Sequence, residues 1–107
     1  MGYHWRRADE RILFLEKGKR RLNDLSLRNV MPGPRATGRQ YPTEKPAHII
    51  ARLIANSSNP GDLVLDCFAG SGVVGREAVR LGRRAVLVDI DVSWIEAHPI
   101  MGMTVIK

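Results

Sequence analysis

Cysteine is almost missing from this chain. Cys67 stands alone among 107 residues, which excludes an intrachain disulfide framework and fits a reducing compartment, the cytoplasm. No apolar run is long enough to cross a bilayer. The opening Met1-Gly2-Tyr3-His4-Trp5 lacks the apolar core of a secretory signal. His48 has no His or Cys in its neighbourhood, so a metal centre is not expected. Length is short as well: one small domain fits, and a complete doubly wound enzyme of five or more strands would be cramped.

Acid is the other scarcity. Eleven Asp and Glu face seventeen Lys and Arg, a net charge of +6, and the pI is near 10.2. The excess is uneven. Residues 1–30 hold eight basic and four acidic residues, residues 31–62 four and two, and residues 63–107 five and five. A basic half therefore precedes a neutral one. This suggests an anionic partner such as nucleic acid, although solubilising charge reads the same way on composition alone.

The neutral half holds the most informative stretch. Pro60, Gly61 and Asp62 form a turn signal, and Leu63-Val64-Leu65 is an apolar run suited to a strand buried on both faces. Asp66 ends the run. Gly70 and Gly72 then permit a tight bend, and Ser71 is placed to cap the helix that follows. A polar ligand group at that helix start would meet unpaired N–H donors. Gly-x-Gly alone fits a plain strand–helix turn as well as a cofactor loop. A second element adds weight. Residues 85–88 are again apolar, and Asp89 ends them 23 residues after Asp66. An acid at the end of a second strand is where a ribose diol would be gripped. The unit is strand, helix, strand.

Around it the pattern predicts other elements. Residues 12–15 are a strand candidate, with Lys17-Gly18-Lys19 as its turn. Lys19, Arg20 and Arg21 could reach phosphates, or simply decorate an exposed turn. Residues 31–40 hold two prolines and two glycines and read as loop, where Arg35 and Arg39 could touch a nucleic-acid backbone. Thr43 or a neighbour can cap a helix, with Pro46 in its first turn and Ile49, Ile50, Leu53 and Ile54 on one apolar face. Val74, Ala78, Val79 and Leu81 predict the buried side of a helix over 72–81, stopped by Gly82. A third helix is expected over 92–98, capped by Ser93 and anchored by Trp94 and Ile95. Residues 103–106 read as a short strand or a tail.

Taken together, these segments resemble the amino-group DNA methyltransferases, which methylate adenine N6 or cytosine N4. Tyr41-Pro42-Thr43-Glu44-Lys45-Pro46 is similar to the family's His-Pro-Thr-Glu/Gln-Lys-Pro element. Leu65-Asp66-Cys67-Phe68-Ala69-Gly70-Ser71-Gly72 is similar to its Leu-Asp-Pro-Phe-x-Gly-Ser-Gly loop, and Leu81-Gly82-Arg83-Arg84 with Val88-Asp89-Ile90-Asp91 to the run into its second strand. Tyr, Cys and Asp replace the commoner His, Pro and Glu. The resemblance implies a partial Rossmann-like, S-adenosylmethionine-dependent α/β fold. It implies a cofactor site in which Thr43 and Lys45 seat the methionine part, and Asp66 lies near its amino group. Phe68, Gly70, Ser71 and Gly72 would line the methionine and ribose region, and Asp89 would take the ribose hydroxyls.

Residues 6–18 resemble the late-strand hairpin of the subclass that places its catalytic half first. The expected organisation is a hairpin over 1–21, a short loop over 22–42 in place of a target-recognition region, and a cofactor-binding βαβ domain over 43–107. So short a loop leaves little material for reading bases. The family's Asp/Asn/Ser-Pro-Pro-Tyr/Phe catalytic tetrad is missing, since no two of the six prolines are adjacent. In the subclass order it would lie upstream of Met1. The chain thus reads as the carboxyl-terminal, cofactor-binding part of a site-specific, restriction-modification type of methyltransferase acting on double-stranded DNA. A split subunit, a truncated piece and a degraded gene all fit. Such a part is expected to be inactive alone and to expose an apolar sheet edge or face. That surface would drive self-association or capture of a partner subunit carrying the tetrad. The alternative is a noncatalytic nucleic-acid-binding or regulatory module of the same fold.

Overall fold

The computed structural model describes residues 10–33 and 44–107. Three helices and three strands alternate: α1 (Ala47–Ser57), β1 (Leu63–Asp66), α2 (Val73–Arg80), β2 (Arg84–Val88), α3 (Ser93–Ala97) and β3 (Met103–Ile106). The strands form one parallel sheet in the order β1-β2-β3. Leu63 pairs with Arg84 and Asp66 with Leu87, then Ala85 with Met103 and Val88 with Ile106. Parallel neighbours need crossovers, and α2 and α3 supply them.

Side chains alternate across the sheet. Val64, Ala85, Leu87, Met103 and Val105 point to the helices. Ala85 packs with Ile54 of α1 and Ala78 of α2. Leu87 packs with Ala69 and with Ile95 of α3. Leu87 is fully buried and Ile95 nearly so. Gly75 allows the close approach of α2. A Cβ there would lie 2.6 Å from Met103 Sδ and 2.7 Å from Leu87 Cδ1. The opposite face, with Leu63, Leu65, Val86, Val88 and Ile106, has no helix over it among the described residues. Leu63 is 55 % exposed, Leu65 59 % and Ile106 48 %.

Arg83 is buried at the other end of α2. Its guanidinium donates to Ser58 O at 2.7 Å, to Ser58 Oγ at 3.0 Å and to Leu81 O at 2.7 Å. These carbonyls lie at or just past the carboxyl ends of α1 and α2, where a cation is favoured.

Three expectations need correction. Residues 12–15 form no strand: residues 10–33 carry neither helix nor strand, only bends and turns such as that at Lys17 and Gly18. A strand exists through its ladder partner, and an isolated hairpin is marginal in water. Ile12, Leu13, Phe14 and Leu15 all remain exposed. Residues 1–9 of the expected hairpin lie outside the described residues. Pro46 is the N-cap of α1 rather than part of its first turn, and no side chain caps that helix; Thr43 lies outside the described residues. Ser71 does not cap α2. Gly72 holds the N-cap position at φ +83° and has no side chain to offer. Ser71 sits one residue too early.

Candidate cofactor site

The carboxyl ends of β1 and β2 gather most of the expected site residues. Asp66 closes β1, and its Oδ1 accepts from the Phe68 amide at 3.0 Å. Phe68 is turned outward, 92 % exposed. The chain then folds back on β2: the Ala69 amide donates to Val88 O at 3.0 Å, and the Gly72 amide donates to Ala69 O at 2.8 Å. Gly70 and Gly72 both have positive φ, +54° and +83°. That region favours glycine and permits the turn into α2.

Asp89 reaches across from the end of β2. Its Oδ2 accepts from the Gly70 amide at 2.8 Å and its Oδ1 from the Asp91 amide at 3.0 Å. The Asp91 amide, then that of Gly70, hold the Asp89 carboxyl below the usual aspartate range. Asp91 is held low in turn by Ser93, whose hydroxyl donates at 2.6 Å and whose amide donates at 3.0 Å. Asp91, not the expected Ser93, thus supports the start of α3.

Ser71 is 3 % exposed, and its Oγ has no hydrogen-bond partner among the described residues. A buried hydroxyl without a partner is costly. Here it lies beside the uncapped start of α2, where amides also lack intrahelical acceptors. A ligand offering polar atoms would satisfy both. This arrangement, with the carboxylates of Asp66 and Asp89 at the two strand ends, fits an adenosyl-type ligand rather than a purely apolar one.

Arg76 and Glu44 were not foreseen at the site. Arg76 Nη1 donates to Ser71 O at 2.6 Å, and Nη2 pairs with Glu44 at 3.3 Å. The pair ties the segment before α1 to the glycine turn and brings Lys45 to the same end of the sheet. Lys45 itself is exposed and pairs with Glu10 at 3.3 Å. Glu44 and Arg76 also line a cleft of about 420 Å³ with Ala47, Val73, Arg80 and Ile100. That cleft contains none of the glycine-turn residues, and its arginines are already paired with Glu44 and Glu77. Gly75 was likewise left without a role. The full spacing Gly70-x-Gly72-x-x-Gly75 was the available signal, since its third glycine serves close helix–sheet packing.

Lys19, Arg20 and Arg21 lie at the opposite end. Asn23 Nδ2 donates to Ala55 O and Ser58 O at 2.8 and 2.7 Å, and the Asp24 amide donates to Asn56 Oδ1. This anchors the basic segment to the carboxyl end of α1, next to where β1 begins. The glycine turn follows the end of β1, a strand length or roughly 13 Å away. Arg35 and Arg39 lie outside the described residues.

In class the chain is a small α/β protein with a parallel sheet and a glycine turn at the sheet's carboxyl end. A family model described as DNA methylase, for the N6 and N4 amino-methyltransferases, matches residues 3–98, and the chain belongs to that family. It is 45 % identical over 56 residues to the DNA adenine methyltransferase YhdJ of Escherichia coli K12, and 40 % identical over 57 residues to the type II methyltransferase M2.DpnII of Streptococcus pneumoniae. These matches cover 52 % and 53 % of this chain but only 19 % and 21 % of the relatives, so the aligned part spans about a fifth of their length. No described helix is long and apolar enough to cross a membrane.

Proposed function

We propose that this chain is the S-adenosylmethionine-binding part of a site-specific DNA amino-methyltransferase, working in the cytoplasm, and that it transfers no methyl group alone. The observation that carries the reading is the unpartnered Ser71 hydroxyl beside the uncapped start of α2. The chemistry such a cofactor supplies is a methyl group activated by a sulfonium. Asp66 accepts from the amino group of its methionine part, with Thr43 and Lys45 seating that end. Phe68, Gly70, Ser71 and Gly72 line the methionine and ribose region, and Asp89 lies at the ribose hydroxyls.

No Pro-Pro turn is present to orient an exocyclic amine or to stack a flipped base. Catalysis therefore falls to a half carrying the tetrad, docked on the open sheet face of Leu63, Leu65 and Ile106 or at the free edge of β1. Without that half, the same surface drives self-association. Calorimetric titration of the folded chain with S-adenosylmethionine tests the reading. Heat of binding at millimolar ligand is expected, and its absence counts against the cofactor.

A noncatalytic nucleic-acid-binding module is the second reading. The position of Lys19, Arg20 and Arg21 at the far end of the sheet from the glycine turn favours it. Together with Arg35 and Arg39, these residues would bind duplex phosphates without regard to sequence, with affinity falling steeply as salt rises. Equal binding by a chain beginning at Gln40 would remove this role.

A further inference from the structure

We propose that Asp89 presets the glycine turn, so that it serves the cofactor as a positioning residue for Gly70 before it serves as a ligand of the ribose. The inference rests on the cofactor reading above. Two adjacent amides of the turn are tied to the last residue of β2 and the one after it: Ala69 to Val88 O, and Gly70 to Asp89 Oδ2. The first tie is backbone to backbone and survives any side chain at position 89. The second depends wholly on the carboxylate and its length.

The other oxygen of Asp89 holds the Asp91 amide, and Asp91 holds Ser93. The carboxylate is thus fixed from both sides and cannot rotate away from Gly70 without releasing the turn before α3. Gly70 sits at φ +54°, and the base of its turn is fixed by buried Ala69 against Leu87 and Ile95. What remains adjustable is the Gly70 peptide itself, and Asp89 holds it. Aspartate is the right length for this contact. A glutamate carries its carboxylate roughly 1.5 Å further along the side chain. It would keep a charged acceptor at the strand end but could not hold the Gly70 and Asp91 amides in the same places.

This length argument separates the two roles by rank order. D89N keeps the side-chain length and one acceptor for Gly70, but loses the charge that favours ribose hydroxyls. D89E keeps the charge and loses the length. If the carboxylate positions the turn, D89N binds S-adenosylmethionine more tightly than D89E, and D89E falls by at least about tenfold, the loss expected for one charge-assisted hydrogen bond. If it is only a ribose ligand, the order reverses.

The experiment pairs calorimetry on wild type, D89N, D89E and D89A with the amide proton resonance of Gly70 in the cofactor-free chain. The amide of Ala55, on the far end of α1, serves as a control for folding. The expected result is a downfield Gly70 amide in wild type that is largely kept in D89N. It moves upfield in D89E and D89A, with Ala55 unmoved in all four. A Gly70 amide that ignores D89A overturns the inference, and so does D89E binding as tightly as wild type. If wild type binds no cofactor while the Gly70 resonance still follows residue 89 as expected, the positioning contact stands and the cofactor reading fails.

Discussion

The same three strands present two unlike faces. On one, Val64, Ala85, Leu87, Met103 and Val105 lie beneath α1, α2 and α3. On the other, Leu63, Leu65, Val86, Val88 and Ile106 have no helix over them among the described residues. Leucines on neighbouring strands therefore meet opposite fates: Leu87 of β2 is fully buried, while Leu65 of β1 is 59 % exposed. Parallel sheets are ordinarily covered on both faces, and their strands read as continuous apolar runs for that reason. Leu63-Val64-Leu65 and residues 85–88 are such runs. Their composition is written for two covering layers, and the described residues supply one.

Truncation should expose this contrast most strongly. Leu87→Ala is expected to remove about 2–5 kcal/mol of stability, because the cavity it leaves is enclosed by Ala69, Ile95 and Gly75. In protein dilute enough to stay monomeric, Leu65→Ala should cost less than about 0.5 kcal/mol, as for most surface substitutions. Urea denaturation of both variants reads the difference. Equal losses would mean that the second face is covered in solution, which is what self-association predicts; repeating the measurement across protein concentrations separates the cases.

Overpacking gives a smaller effect on the covered face. Gly75→Ala places a methyl against Met103 and Leu87 at distances no carbon tolerates, and should cost about 1–3 kcal/mol. A melting temperature unchanged from wild type would show that α2 stands further from the sheet than described.

Acid should act on the glycine turn at the carboxyl end of the sheet. Asp89 and Asp91 are both lowered in the folded state by local hydrogen bonds. A lowered carboxylate stabilises the fold fully above its unfolded value of about 3.9, and that contribution is lost as pH falls through the lower folded value. Glycine-turn amides such as Gly70 should therefore lose exchange protection below about pH 4. The Arg83 clamp at the other end, whose acceptors are carbonyls and a hydroxyl, should hold. D89N should flatten the profile at Gly70; an unaltered profile would assign the acid sensitivity to other carboxylates.

The contrast also marks what the sequence could reveal. Apolar runs and glycine stops located β1, α2, β2 and α3 within a residue or two, because these signals are local, whereas residues 103–106 read equally as a tail and only their pairing with β2 makes them β3. Ile12, Leu13, Phe14 and Leu15 have the composition of a strand, yet a strand needs a ladder partner, and their sequence does not say whether one is near. Ser71 has the chemistry of a cap, but Gly72 takes the cap position through a left-handed backbone that side-chain identity did not disclose. Arg83 stood out only within the Leu81-Gly82-Arg83-Arg84 match, and it is a buried clamp. Asp89 was placed correctly at its strand end. That its carboxylate turns inward to Gly70 depends on the bend of a loop 19 residues earlier.

The central claim is a donor cradle without a catalytic half. Its most direct test is a methyl-transfer assay with radiolabelled S-adenosylmethionine on mixed-sequence duplex DNA. It should be run with the chain alone and with the product of the reading frame immediately upstream. The account predicts no incorporation by the chain alone, and incorporation at an amino nitrogen only when a partner supplies the Pro-Pro tetrad. Incorporation by the chain alone, confirmed at adenine N6 or cytosine N4, would contradict it.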